Sequence, residues 1–212
     1  MSFDALLMLS GGKDSCALAV MLKEQGVDFM ALTVDNGWVR DVAIQNARKV
    51  VKHLGIPHTI HRLAAGEYEK EIRPLVKEGM LVACTRCSIL TLGFGSSFAK
   101  SIGAKKVYAG FTKYTAQAAG WDASVEKDSG GIILCNPFYK DYPLQRIRDI
   151  CRELDLVLDP TKTNCELLPE LLKETNRLKL PNHLLTEMNL LLKDGLITSE
   201  EFEYYKAFVC QM

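Results

Sequence analysis

The sequence has no surplus of charge. Its 26 Lys and Arg are balanced by 26 Asp and Glu, for a formal net charge of +0. A protein that grips a long nucleic acid ordinarily carries a basic excess to neutralise phosphates. An extended RNA or DNA interface is therefore disfavoured, although a local basic patch is compatible with a neutral total. No apolar run is long enough to span a bilayer. The opening residues, MSFDALLMLS, lack the basic n-region of a secretory leader. A cytoplasmic protein with no membrane partner is the expectation. A disulfide framework is missing too: the seven cysteines are odd in number and unevenly spaced. In a cytoplasmic chain that leaves metal, cluster or catalytic roles for any that cluster, and core packing for the rest. What is present is ordinary globular material. The chain has 48% hydrophobic and 25% charged residues over 212 positions, enough for one sizeable domain and a small appendage.

Periodicity divides the chain in two. Phe3 to Leu9 is short, apolar and ended by turn residues, which predicts a buried strand. Lys13 to Gln25 has helical spacing and stops at Gly26; Val27 to Val34 is a second strand, turned by Asp35-Asn36-Gly37. A helix is expected over Asp41 to Leu54, ending at Gly55, then a more polar, edge-like strand over Ile56 to Leu63. Helices follow over Glu67 to Glu78 and from about Ser88 to Ile102, the latter weakened by GFGSS. Lys105 to Gly110 and Gly131 to Cys135 are strands, and Pro143 to Leu154 is a helix. Strands alternating with helices imply right-handed crossovers and an α/β, doubly wound parallel sheet of Rossmann-like form. Such sheets bind ligands beyond the carboxyl ends of their strands. After Asp159 only helical patterns occur: LPELLKETNRL, LPNHLLTEMNLLLKDG and ITSEEFEYYKAFV, the last with Thr198 or Ser199 as N-cap. The expected division is a main domain over 1–179 and a helical hairpin over 180–212.

Ser10-Gly11-Gly12-Lys13-Asp14-Ser15 stands between the first strand and the first helix. Glycines let backbone approach an anion and take positive φ. The helix N-terminus offers unpaired N–H groups and partial positive charge. Ser10 and Ser15 add hydroxyls and Lys13 a full charge. Asp14 would be repelled by phosphate unless it caps the helix or meets a magnesium ion. The spacing is neither GxxxxGK[ST] nor GxGxxG, so the two commonest phosphate motifs are excluded. The six residues resemble instead the SGGxDS signature of the PP-loop, or N-type ATP pyrophosphatase, superfamily. Its members include tRNA thiolases, GMP synthetase, argininosuccinate synthetase and sugar amidotransferases. The resemblance implies ATP with Mg2+ above the strand ends, pyrophosphate in the loop, and an adenylated intermediate. TVDNG would place Val34 backbone near adenine and Asp35 near ribose or metal. Gly110, after the strand KKVYAG, would let backbone approach the nucleotide. Sulfur-inserting relatives often have Gly-His and an acidic pair there, where this chain has GFTKYTAQ.

Cys84-Thr-Arg-Cys87 forms a CxxC placed just before the helix expected from Ser88. That spacing lets both thiolates face one metal, and a helix N-terminus favours thiolate. Cys165 lies in a later loop, TNCELLP. The order of the three resembles the iron–sulfur subgroup of PP-loop thiolases, the tRNA 2-thiocytidine and 2-thiouridine enzymes, over roughly residues 3 to 170. The resemblance implies that Cys84, Cys87 and Cys165 hold a [4Fe–4S] cluster with one iron open. Zinc, or a persulfide-carrying pair, are the alternatives. Cys16, Cys135 and Cys151 read as core, and Cys210 is uninformative. Arg86 suits a substrate phosphate or solvent, and Lys113 and Tyr114 suit a pocket wall. His58 and His61 are read on one strand face at a spacing that permits a metal, but suit ordinary packing and solvent contacts more.

These residues point to an ATP-dependent sulfurtransferase in which Lys13, Asp14 and the three cysteines are catalytic. The resembling tRNA thiolases usually carry extra zinc or RNA-binding modules and basic surfaces. A short neutral chain therefore favours a nucleobase or other small acceptor, with tRNA thiolation as the alternative. An amidotransferase or ligase of the N-acetyl sugar type is the other reading. Sulfide, or a cysteine desulfurase or lyase, would donate sulfur. The C-terminal stretch resembles the short helical hairpins of the SHOCT type, which implies self-association, as a homodimer, or contact with a partner; a helical pair packed on the sheet is the equal alternative.

Overall fold

The computed structural model describes residues 3–39, 41–64, 66–77, 80–119, 125–158 and 182–211; Cys165 and the Cys84 side chain lie outside the description. A six-stranded sheet runs in the order β3-β2-β1-β4-β6-β5. Its strands are β1 (Ala5–Met8), β2 (Phe29–Asp35), β3 (His58–Arg62), β4 (Lys106–Tyr108), β5 (Glu126–Asp128) and β6 (Ile133–Cys135). Every pairing is parallel except β5 with β6. The expected doubly wound α/β fold is the observed one.

β1 and β2 are buried at every position, as unbroken apolar strands covered on both faces must be. Their side chains alternate between two cores. Leu7 and Leu9 face α1 (Lys13–Glu24), α2 (Asp41–Leu54) and α7 (Leu144–Glu153), whose Leu18, Val50 and Ile147 complete that layer. Leu6 and Met8 face α4 (Met80–Ser101), with Leu32, Ala99 and Val107. β3 is only partly buried, consistent with its polar sequence and its place at the sheet edge. β5 was not foreseen. Its residues Glu126, Lys127 and Asp128 are all exposed, so it carries no apolar signal.

Two helices depart from expectation. α3 (Glu67–Ile72) stops early and passes into a 3-10 turn, Arg73–Lys77. Pro74 lacks the N–H an α-helix needs and disfavours helical geometry before it. α4 begins at Met80, eight residues before its expected start, and runs through GFGSS unbroken. A Cβ on Gly95 would lie 2.4 Å from the Met8 sulfur. The glycine that weakens the helical pattern is where the helix presses on β1. The short α5 (Lys113–Ala119) and α6 (Pro137–Lys140) were also unforeseen.

Two more helices follow, α8 (Asn182–Lys193) and α9 (Ser199–Gln211). Thr198 is the cap: its Oγ1 accepts the Glu201 N–H at 3.1 Å, and Glu201 Oε2 accepts the Thr198 N–H at 2.8 Å, a reciprocal capping box. Leu191 and Ile197 are buried in the same core as α1 and α7. The stretch LPELLKETNRL lies outside the described residues. No helix among the described residues is long and apolar enough to cross a membrane.

Candidate active site

The strand order reverses around β1, whose two neighbours are β2 and β4. In open α/β sheets that is where a crevice opens. The loop Ser10–Ser15 occupies it. Gly11 has φ +79°, and a Cβ there would lie 1.9 Å from the Ala43 carbonyl oxygen of α2. Only glycine satisfies both the left-handed backbone and that approach. Gly12 caps α1 without a side-chain hydrogen bond, so no capping side chain occupies the helix's first N–H groups. Ser10 Oγ accepts the Gly12 N–H at 3.3 Å and lies 3.0 Å from Ser15 Oγ, which donates to the Gly12 carbonyl at 3.1 Å. Gly110 brings the end of β4 against this turn: a Cβ there would sit 3.1 Å from the Ser15 nitrogen.

Lys13 Nζ donates to the Asp14 carboxylate at 3.0 and 3.2 Å and to the Tyr142 hydroxyl at 2.7 Å. Tyr142 in turn donates to Asp14 Oδ1 at 2.8 Å. Burial disfavours the ammonium, but Asp14 and Tyr142 outweigh it and the Lys13 pKa is raised. Burial pushes the Tyr142 hydroxyl up as well. Lys13 is thus a held cation and Tyr142 a neutral donor. Behind the loop, buried Asn46 donates from Nδ2 to the Gly11 carbonyl at 3.1 Å and to the Val157 carbonyl at 2.8 Å, and its Oδ1 accepts the Val157 N–H at 3.1 Å. This brace fixes the loop backbone.

A cavity of about 360 Å³ joins the expected parts. Ser10, Gly12, Asp14 and Ser15 form its floor, Leu32 and Val34 one wall, Gly110, Phe111 and Thr115 another, and Cys87, Ser88 and Thr91 of α4 the roof. Asp35 is not among its lining. Asp35 Oδ1 accepts the Gly37 N–H at 3.0 Å and its Oδ2 accepts from Arg62 Nε at 2.8 Å.

The CxxC lies within α4, not ahead of it. A helix N-terminus therefore does not favour thiolate here, because Cys87 is two turns inside. The i,i+3 spacing still places both positions on one helix face. Cys87 Sγ sits 2.9 Å from the Tyr68 hydroxyl and 3.9 Å from Asn36 Nδ2. A half-buried thiol with N–H and O–H neighbours fits a metal-ligating thiolate, whose sulfur such donors stabilise. Among the described residues no group of three His, Cys, Asp or Glu is placed to hold a metal, and two of the three expected ligands are not described in full. Cys16, Cys135 and Cys151 are buried core residues. Burial raises all three thiols, Cys135 and Cys151 to about 11.

Several other expectations change. Tyr114 and Lys113 turn away from the cavity to Asp194 of α8, at 2.8 and 3.4 Å; Thr115 takes their place on the wall. Arg86 is exposed and pairs with Glu71 at 3.0 Å. His58 and His61, three apart on a strand, point to opposite faces. His58 Nε2 meets Thr33 Oγ1 at 2.8 Å and has a pKa lowered by burial and Arg48. His61 stacks on Phe94 at 4.2 Å. Sequence reasoning missed Tyr142, Asn46, Tyr68 and Glu187, none of which sits in a motif. Only the long-range fold brings Tyr142 and Asn46 to the loop, Tyr68 to Cys87 and Glu187 to Thr115.

Residues 4–119 match the model of a family described as queuosine biosynthesis protein QueC. A 7-cyano-7-deazaguanine synthase of Leptospira interrogans is 39% identical over 59 residues, 28% of this chain and 24% of that protein. One from Oceanobacillus iheyensis is 29% identical over 120 residues, 50% of this chain and 53% of that protein. The chain thus spans about half or less of the curated relatives it matches. Among solved structures, an NMN synthetase from Francisella tularensis aligns with TM-score 0.56 and 16% identity over 99% of this chain and 84% of that one. The U34-tRNA thiolase NcsA from Methanococcus maripaludis, with its [4Fe-4S] cluster, aligns with TM-score 0.55 and 18% identity over 89% and 69%. At such identities these structures establish the fold alone.

Proposed function

The chain belongs to the QueC family, within the PP-loop superfamily that its loop resembles, and on that premise we propose an ATP-dependent enzyme that activates a carbonyl of a small acceptor. The acceptor oxygen attacks the α-phosphorus, the bond to the β-phosphate breaks, and pyrophosphate leaves. The loop N–H groups and Lys13 stabilise the charge that develops on the transferring phosphorus. Tyr142 and Asp14 hold the Lys13 ammonium in register for that task.

Sulfur is the nucleophile the geometry favours. The observation that carries this reading is that Cys87 lines the same cavity as Ser10, Gly12 and Asp14. Hydrosulfide attacks the activated carbon, the C–O bond to AMP breaks, and a thiocarbonyl remains. Cys84, Cys87 and Cys165 would hold a [4Fe–4S] cluster, or zinc, whose part is to keep sulfide beside the acceptor. Tyr68 and Asn36 orient the Cys87 sulfur. The balanced charge favours a small acceptor over tRNA. Self-association of the C-terminal hairpin and a separate sulfur-donating partner belong to the same proposal.

A second reading puts nitrogen in place of sulfur. The family match and the 7-cyano-7-deazaguanine synthases favour it, because the product they are named for carries a nitrile. One experiment separates the two. The protein is incubated anaerobically with ATP and a metabolite-plus-tRNA extract, with sulfide or ammonia, and products are read by mass spectrometry. AMP with a sulfur-for-oxygen mass gain is expected. A nitrogen product under ammonia alone would overturn the sulfur reading.

A further inference from the structure

Among the described residues, polar ties at Asp194, Glu201 and Glu187 hold α8 and α9 to the rest of the chain. Two lie on the rim. Tyr114 and Lys113 donate to Asp194, and Arg148 donates to Glu201 at 2.6 Å. These carboxylates are 43% and 37% exposed, so each is held there at little cost. Leu191 and Ile197 supply the apolar anchor.

The third tie faces inward. Glu187 Oε1 accepts a hydrogen bond from Thr115 Oγ1 at 3.1 Å, and Thr115 is part of the cavity wall. Through Thr115, Glu187 stands directly behind the wall of the cavity whose floor holds Asp14 and Ser15. Burial raises its pKa against the pull of Lys13. Docking does not require a carboxylate here, since an amide would satisfy Thr115 equally. A carboxylate in that place is costly.

Its consequence is electrostatic. Lys13 and Asp14 of the loop pair with each other, and Glu187 adds a further carboxylate behind Thr115. The α1 N-terminus adds roughly half a positive charge. A polyanion therefore meets a loop that is close to neutral or slightly negative. Repulsion from Glu187 scales with ligand charge, so a free triphosphate of about −4 is opposed about twice as strongly as its divalent complex of about −2.

We propose that Glu187, brought to the phosphate loop by the C-terminal hairpin, is a specificity-determining residue that makes the site accept a nucleoside triphosphate as its divalent-cation complex in preference to the free polyanion. The inference rests on the nucleotide reading of the loop. The full chain is titrated with ATP by calorimetry, in excess Mg2+ and in excess EDTA. Wild type should bind about tenfold more weakly in EDTA. Glu187→Gln keeps an acceptor for Thr115 and loses the charge. It should narrow that ratio by about threefold or more, chiefly by strengthening binding in EDTA. Glu187→Asp keeps the charge and should keep the wild-type ratio, as should Asp194→Asn on the rim. A Glu187→Gln ratio equal to wild type overturns the proposal, and so does an Asp variant that behaves like Gln. Wild type that binds ATP in neither buffer overturns the nucleotide reading and this inference with it.

Discussion

Tyr142→Phe removes one oxygen atom from the site and tests what holds Lys13. That oxygen accepts from Lys13 Nζ at 2.7 Å and donates to Asp14 Oδ1 at 2.8 Å. The ring itself packs edge-on against Tyr114 and Phe138, each with centroids 5.9 Å away, and phenylalanine keeps those contacts. Hydrogen bonds to charged groups contribute about 1.5–3 kcal/mol each. The two here share one hydroxyl, and Lys13 and Asp14 are 32% and 25% exposed and retain each other. A net loss of about 1–2 kcal/mol in stability follows, which lowers the melting temperature by roughly 2–8 °C for a chain of this size. The catalytic effect is separate. If the hydroxyl orients the ammonium in the transition state, about 2 kcal/mol there slows AMP release by about 30-fold. Acceptor-dependent AMP formation is followed beside a thermal melt. A variant that melts lower yet keeps kcat/KM within about twofold of wild type would refute the reasoning and reduce Tyr142 to a packing residue.

Other expectations follow from the same geometry. Gly11→Ala should destabilise by more than about 3 kcal/mol, or fail to fold, since its Cβ meets Ala43 backbone at a left-handed φ; a urea midpoint near wild type would contradict it. Asn46→Ala leaves the Gly11 carbonyl and both Val157 groups without their partner, and should cost about 2–3 kcal/mol in chemical denaturation and weaken ATP binding; unchanged affinity would show that the loop holds without the brace. Cys84→Ser, Cys87→Ser and Cys165→Ser should each empty the proposed metal site of anaerobically purified protein. Iron or zinc retained in full by any of the three, measured by elemental analysis, would remove that cysteine from the ligand set. The Lys13 pKa is raised on folding, so its contribution to stability is complete below the unfolded value of about 10.4 and is lost only as pH rises through the folded one. The stability difference between wild type and Lys13→Met should therefore stay flat from about pH 6 to about pH 9; a difference that shrinks inside that window contradicts the assignment.

The elements legible in the sequence are those whose cause is local. Asp41–Leu54 was read to the residue, because apolar spacing and Gly55 mark it without outside help. Thr198 was readable as a cap because its partner Glu201 is three residues away. α4 was misread at its start because MLVACTRC carries no capping signal, and its glycines look like breaks until Met8 is seen against Gly95. β5 was missed because three charged residues pair only when β6 is already in place.

The site divides along the same line. Ser10 to Ser15 announces an anion loop by itself: positive φ, an open helix N-terminus and a lysine are all properties of six adjacent residues. What the loop works with is set by the fold. Tyr142 reaches Lys13 across 129 positions, and Cys87 lines the same cavity as the phosphate loop because α4 crosses above β1. Glu187 arrives on a helix that the sequence presents as an appendage. Local backbone chemistry specifies a binding turn, whereas the charge around that turn and the thiol above it depend on contacts between residues far apart in the chain, and only tertiary packing creates those contacts.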